Sequence, residues 1–113
     1  MKIAIASQNW LTITNHPGKT GRFRVFEVQD QEDVRELDRL ELPTEMFIHN
    51  FKDSGDHPLY HMDVLIAGTA GSGFIDRLAR YGVTVATTSE KDPLAAISHY
   101  RAGTLPPSEP HHH

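Results

Sequence analysis

Histidine is the residue type in this chain best placed to do chemistry. The 113 residues contain no cysteine, so thiolate nucleophiles, disulfides and cysteine-held zinc or iron–sulfur sites are excluded. Any metal must then be held by imidazole, carboxylate or backbone. His49, His57 and His61 fall within thirteen residues, a density well above that of the rest of the chain. Neutral imidazole is a common ligand of transition-metal ions. Positions 57 and 61 are four apart, so both rings share a face if that turn is helical. These three are the candidate metal ligands. In the plainer reading, His57 caps the turn and His61 sits on the surface, and for any single histidine that is the commoner outcome.

A second group could receive an anion. His16 lies in a basic loop with Lys19 and Arg22, where a protonatable ring beside cations suits a negative ligand. Gly71 and Gly73 belong to a glycine-rich run, 68–73, that follows a strand and opens a helix, so its free N–H groups point toward the same kind of ligand. The run lacks the Lys-Ser/Thr of a P-loop and is not a G-x-G-x-x-G fingerprint, and tight strand-to-helix packing explains its glycines equally well. His99 receives no role. His111, His112 and His113 could bind metal but read equally as the remnant of a purification tag, so they stay outside the fold argument.

The elements that must position these residues follow from pattern. Residues 2–7 are rich in Ile and Ala, as in a central strand covered on both faces. Residues 8–21 hold Asn9, Asn15, Pro17, Gly18 and Gly21 and form a long loop. Residues 22–28, with Phe23, Val25, Phe26 and Val28, read as the second strand. Between 33 and 42 the apolar spacing of Val34, Leu37 and Leu40 is helical, although the resemblance described below implies a strand. Thr44 N-caps a short helix to about 50, and Pro58 starts a helical turn. A buried strand over 62–67 leads to a helix over 72–81, ended by Gly82 with Arg77 and Arg80 near its C-terminus. Residues 83–87 form another strand, and Asp92-Pro93 opens a helix to about 101, closed by Gly103. Strands alternating with helices imply local parallel pairing.

Composition narrows the function classes. At 38% hydrophobic, the chain suits one domain, residues 1–103, followed by a Pro-rich disordered tail over 104–113. Its apolar runs are strand-sized, far short of the ~20 residues of a membrane span, and the start shows no secretory h-region, so a cytoplasmic protein is expected. The net charge of −4 hides an asymmetry: residues 1–26 carry four cations and no acid, while residues 27–63 carry eleven acids against three cations. Too few basic groups are present to neutralise a row of phosphates, so nucleic-acid contact is not expected. The acidic stretch reads as a solvated surface.

Several stretches together resemble the dinitrogenase iron–molybdenum cofactor biosynthesis family, which includes the NifX and NafY carriers and the C-terminal part of NifB. They are Lys2-Ile3-Ala4-Ile5-Ala6-Ser7, His16-Pro17-Gly18-Lys19 before Arg22-Phe23, His49-Asn50-Phe51, His57-Pro58-Leu59, and Asp63-Val64-Leu65-Ile66-Ala67-Gly68 with Gly71 and Gly73-Phe74. The resemblance spans about residues 1–103. It implies an α/β fold of ribonuclease-H-like type, a five-stranded mixed sheet with helices on its faces. It also implies a non-catalytic carrier of an iron–sulfur cluster or iron–molybdenum cofactor precursor, working with cluster-synthesising or acceptor proteins. Pro17 stands where the family pattern would place an aromatic residue, and no nitrogenase-specific extension is present, which fits a stand-alone relative outside nitrogen fixation.

Two rival readings remain. Ribonuclease-H-like nucleases hold two magnesium ions on clustered carboxylates, but residues 2–7 lack the acid that such enzymes place on the central strand. No serine sits in a nucleophile elbow. A regulatory module that binds another protein, with the histidines incidental, stays open.

Overall fold

The computed structural model describes residues 1–29, 33–52 and 55–108. Strands β1 (Lys2–Ala6), β2 (Arg22–Gln29), β3 (Asp33–Glu36), β4 (Leu40–Glu41), β5 (Val64–Ala67) and β6 (Thr84–Thr87) form one mixed sheet, accompanied by helices α1 (Ser72–Arg80) and α2 (Pro93–Ala102). The strand order is β3-β2-β1-β5-β6, with β4 also on β2. β1 runs antiparallel to β2 and parallel to β5, and β6 continues parallel to β5.

β1 is apolar at every buried position because it serves two cores. Ala4 and Ala6 face a cluster with Phe23, Leu59, Tyr60, Leu65 and Leu78 of α1. Ile3 and Ile5 face the other side, with Phe26, Val28, Ile66 and Ala96 and Ile97 of α2. The helices thus cover opposite faces, the arrangement that makes a central strand read as a continuous hydrophobic run.

The helical spacing over 33–42 does not produce a helix. β3 pairs with β2 in the register Phe26↔Glu36 to Gln29↔Asp33, and Arg24 donates twice to Glu36 at 2.9 Å. Long-range pairing with a fully formed strand outweighs a weak local preference. The helices begin and end as their caps require. Asp92 accepts from the Ala95 N–H at 2.8 Å, Pro93 opens α2, and Gly103 closes it at φ 74°.

Two expectations need correction. The segment after Thr44 forms only a 3-10 turn, Thr44–Met46, with Pro43 at its cap. Residues 104–108, expected to be disordered, are docked: Thr88 donates to the Pro106 carbonyl at 2.6 Å, Ser89 N–H to Pro107 at 3.0 Å, and Leu105 packs on the α2-side core. The buried Thr88 hydroxyl needs an acceptor, and the tail supplies it. Residues 109–113 lie outside the described residues. No helix among the described residues is long and apolar enough to cross a membrane.

Gly21 enters β2 where the backbone leaves no room for a side chain: an added Cβ would sit 2.8 Å from the Leu42 carbonyl oxygen and collide with the Phe47 ring. We expect Gly21→Ala to lower stability by about 1–3 kcal/mol through overpacking, read as a reduced denaturation midpoint with an unchanged slope.

Candidate functional site

The parallel pair β1 and β5 ends at one rim of the sheet, and the two chains leave it in opposite directions. After β1, residues 7–21 turn back to β2; after β5, residues 68–71 lead into α1. In open α/β sheets such a divergence leaves a crevice at the carboxyl ends of the strands. Here the crevice is partly bridged by backbone: Thr14 donates to the Ala6 carbonyl at 2.8 Å and accepts from the Gly68 N–H at 3.0 Å. Gly68 is required at this bridge, since a Cβ would collide with Asn15.

Immediately beyond the bridge, His16 adopts a left-handed conformation, φ 55° and ψ 63°. That conformation costs about 1–2 kcal/mol for an L-residue. It turns the chain into the 3-10 segment Pro17–Lys19, where the His16 carbonyl accepts from Lys19 N–H at 2.9 Å and from the Thr20 hydroxyl at 3.1 Å. The turn sets an exposed histidine at the crevice, and strain of this kind clusters at ligand sites.

A second loop closes on the first. His49 donates its backbone N–H to the Gly18 carbonyl at 2.8 Å. Arg77 of α1 fixes the same loop with all of its faces: Nε donates to the Tyr60 hydroxyl at 3.0 Å, and the two terminal nitrogens to the carbonyls of Ile48 at 3.0 Å and Phe51 at 2.6 Å. The result is a hollow of about 250 Å³ lined by His16, Pro17, Gly18, Lys19, His49, Gly71 and Phe74. No acid lines it, and Lys19 has no ion-pair partner among the described residues. His16, Lys19, His49 and the start of α1 therefore border one space. Gly71 leaves its side of the space open, because an added Cβ would meet nothing within 4 Å.

The remaining predicted residues are elsewhere, each for a visible reason. His57 is 1% exposed and both ring nitrogens are used: Nδ1 accepts from Leu59 N–H at 3.0 Å, so Nε2 carries the proton and donates to the Met46 carbonyl at 2.7 Å. In this arrangement neither nitrogen is free for a metal; His57 is the cap of Pro58–His61 and a latch for the loop that carries His49. Because that turn is 3-10 and its cap extended, His57 and His61 do not share a face. His61 is exposed and lies 2.7 Å from both Asp56 carboxylate oxygens, and it holds that carboxyl below its usual range. Arg22 is drawn to Glu41 at 3.1 Å, to the Gln8 carbonyl at 3.3 Å and over the Trp10 ring, away from the hollow. Gly73 is exposed and does not line it, and no packing demand explains it. Among the described residues no three His, Cys, Asp or Glu side chains converge as a metal cage.

Phe74, Gly18 and Arg77 were not singled out for the site by the sequence. Phe74 enters the sequence reading only through the resemblance, and Arg77 only as a cation near the helix C-terminus. Nothing local announces that Arg77 reaches three acceptors in other segments.

No protein-family model matches the chain, and no curated protein matches it in sequence. Solved structures do share its fold. The protein PH0822 aligns over 93% of both chains at 20% identity with a TM-score of 0.69. A protein of Methanocaldococcus jannaschii provisionally named a dinitrogenase aligns over 93% of this chain and 91% of its own at 15% identity, TM-score 0.62. A Thermotoga protein provisionally named NifB, of the DUF35 family, aligns over 94% and 91% at 17% identity, TM-score 0.62. At these identities the likeness establishes the fold.

Burial pushes the His57 imidazolium below its ordinary 6.5; the hydrogen bond to the Met46 carbonyl opposes it, the nearby Arg77 charge adds to it, and Asp56 opposes it least. Unfolded His57 therefore takes up a proton at a pH where the folded ring stays neutral. Stability from this group is complete above about 6.5 and is lost as pH falls through the lower folded value. We expect the denaturation midpoint to fall between pH 7.5 and 5.5 more steeply in wild type than in His57→Gln, which removes this titration.

Proposed function

We propose that the chain is a non-catalytic carrier that holds an iron–sulfur cluster or an iron–molybdenum cofactor precursor in the hollow between residues 16–19, His49 and the start of α1. The observation that carries this reading is convergence: His16 and Lys19 from one loop, His49 from another thirty residues away, and Gly71 line the same acid-free space. Such a precursor brings its own bridging sulfides and net negative charge. It needs only one or two terminal ligands and a cationic surround, and a complete protein cage would hinder its release. His16 and His49 serve as terminal imidazole ligands. Lys19 and the N–H groups opening α1 balance the cluster's charge.

The fold gives this reading its context. We take the sheet order, with an antiparallel second strand and a parallel β1–β5–β6 run, as a ribonuclease-H-like arrangement. Proteins of this fold provisionally named a dinitrogenase and NifB support a link to cofactor assembly. Nuclease chemistry is disfavoured because β1 carries no carboxylate. Cluster-synthesising and acceptor proteins are the partners this role requires.

Anaerobic reconstitution with iron and sulfide tests it. We expect wild type to develop a charge-transfer absorption band, and His49→Ala or His16→Gly to weaken cluster retention by about 10–100-fold, the scale on which metal-site substitutions act. The His16→Gly change relieves the left-handed strain, so lost retention cannot be ascribed to misfolding. His61→Ala should retain the cluster. Equal retention in all variants, or no cluster in folded wild type, would refute the proposal.

A further inference from the structure

A second hollow lies along α1 from the first and shares only His49 with it. It encloses about 380 Å³ and is lined by His49, Phe51, Lys52, Arg77, Arg80 and Tyr81. We infer that this hollow is a mononucleotide-binding site, in which a base stacks on Tyr81 and its phosphate is held by Lys52 and Arg80.

The stacking platform is already built. The Tyr81 ring lies 3.7 Å from the Tyr60 ring, centroid to centroid, with 4° between their planes. One face of Tyr81 is therefore covered, yet the residue is 46% exposed, which leaves the other face open to solvent. Tyr60 is buried and its hydroxyl accepts from Arg77 Nε, so the ring beneath Tyr81 is fixed. A planar ligand arriving on the open face meets a surface that needs no reordering, and every base has a π-face suited to it.

The charges favour a phosphate over a carboxylate-rich or neutral ligand. Lys52 and Arg80 are exposed, and neither has an acidic partner among the described residues. Among the described residues no acid lines the hollow, although the chain as a whole carries −4. Each guanidinium nitrogen of Arg77 already donates, to Tyr60, Ile48 and Phe51, so its main contribution is charge and a rigid wall. Arg80 presents the planar fork that matches a phosphate, and Lys52 a mobile ammonium. The volume lies in the range of small-ligand sites, roughly 300–1,000 Å³.

Calorimetric titration of the full chain with AMP, ribose 5-phosphate and adenosine at low salt tests this. We expect saturable AMP binding that weakens with salt. Ribose 5-phosphate, which lacks the base, should bind roughly tenfold or more weakly, and Tyr81→Ala should lose a similar factor for AMP. Tyr81→Trp should keep the platform and the binding, which separates a lost stack from a damaged fold. Lys52→Gln and Arg80→Gln should each weaken AMP and flatten its salt dependence, whereas Lys91→Gln should change neither. No saturation by millimolar AMP, ribose 5-phosphate binding as tightly as AMP, or Tyr81→Ala binding like wild type would each overturn the assignment.

Discussion

The parallel pairing of β1 with β5 is the constraint on which the rest depends. It places two strand ends side by side at one rim while their connections depart toward opposite halves of the sheet. A crevice at that rim is a consequence of topology and requires no particular side chain. What the sequence adds is its furnishing. Thr14 ties the two strand ends through its backbone, Gly68 permits the close approach, and the chain then emerges at His16 in a left-handed turn. The pairing in turn rests on β1 being apolar on both faces, since Ile3 and Ile5 anchor one core and Ala4 and Ala6 the other.

Two polar side chains, His57 buried and Arg77 half-buried, hold the opposite wall. His57 closes the loop from below through Met46 and Leu59, and Arg77 closes it from α1 through Ile48 and Phe51. A buried side chain of this kind is stable only when its donors and acceptors are matched, as both His57 ring nitrogens are, and Arg77 places one N–H from each guanidinium nitrogen on an acceptor. Their commitment explains the division of labour among the histidines. The ring that is buried and doubly bonded supports the loop, while His49, exposed on that loop, and His16, exposed opposite, are left for a ligand. The proposed carrier role needs such a contrast, because the scaffold must stay rigid while the proposed ligands stay accessible.

Much of this was legible in the residues. The two-faced β1, the caps of α2 at Asp92 and Gly103, and the glycine-ended α1 follow from local rules, and each formed as expected. The histidine cluster was legible only as composition. Spacing of four suggested a shared face for His57 and His61, but Pro58 directs a 3-10 turn whose cap points inward. The meeting of His16 with His49 depends on a contact between segments thirty residues apart, which no local pattern encodes. The same holds for Arg22, whose charge is claimed by Glu41 across the β2–β4 pairing, and for residues 104–108, docked by the Thr88 hydroxyl, the Ser89 N–H and the packing of Leu105.

The central claim is a location: cargo iron between the His16 and His49 rings, with Lys19 beside it. Anomalous diffraction at the iron edge, from crystals of the anaerobically loaded protein, reads that location directly. The account predicts one iron-centred peak in the hollow, within bonding distance of an imidazole nitrogen of His16 or His49. Iron bound only at His61 and Asp56, or at the terminal histidines, would contradict it.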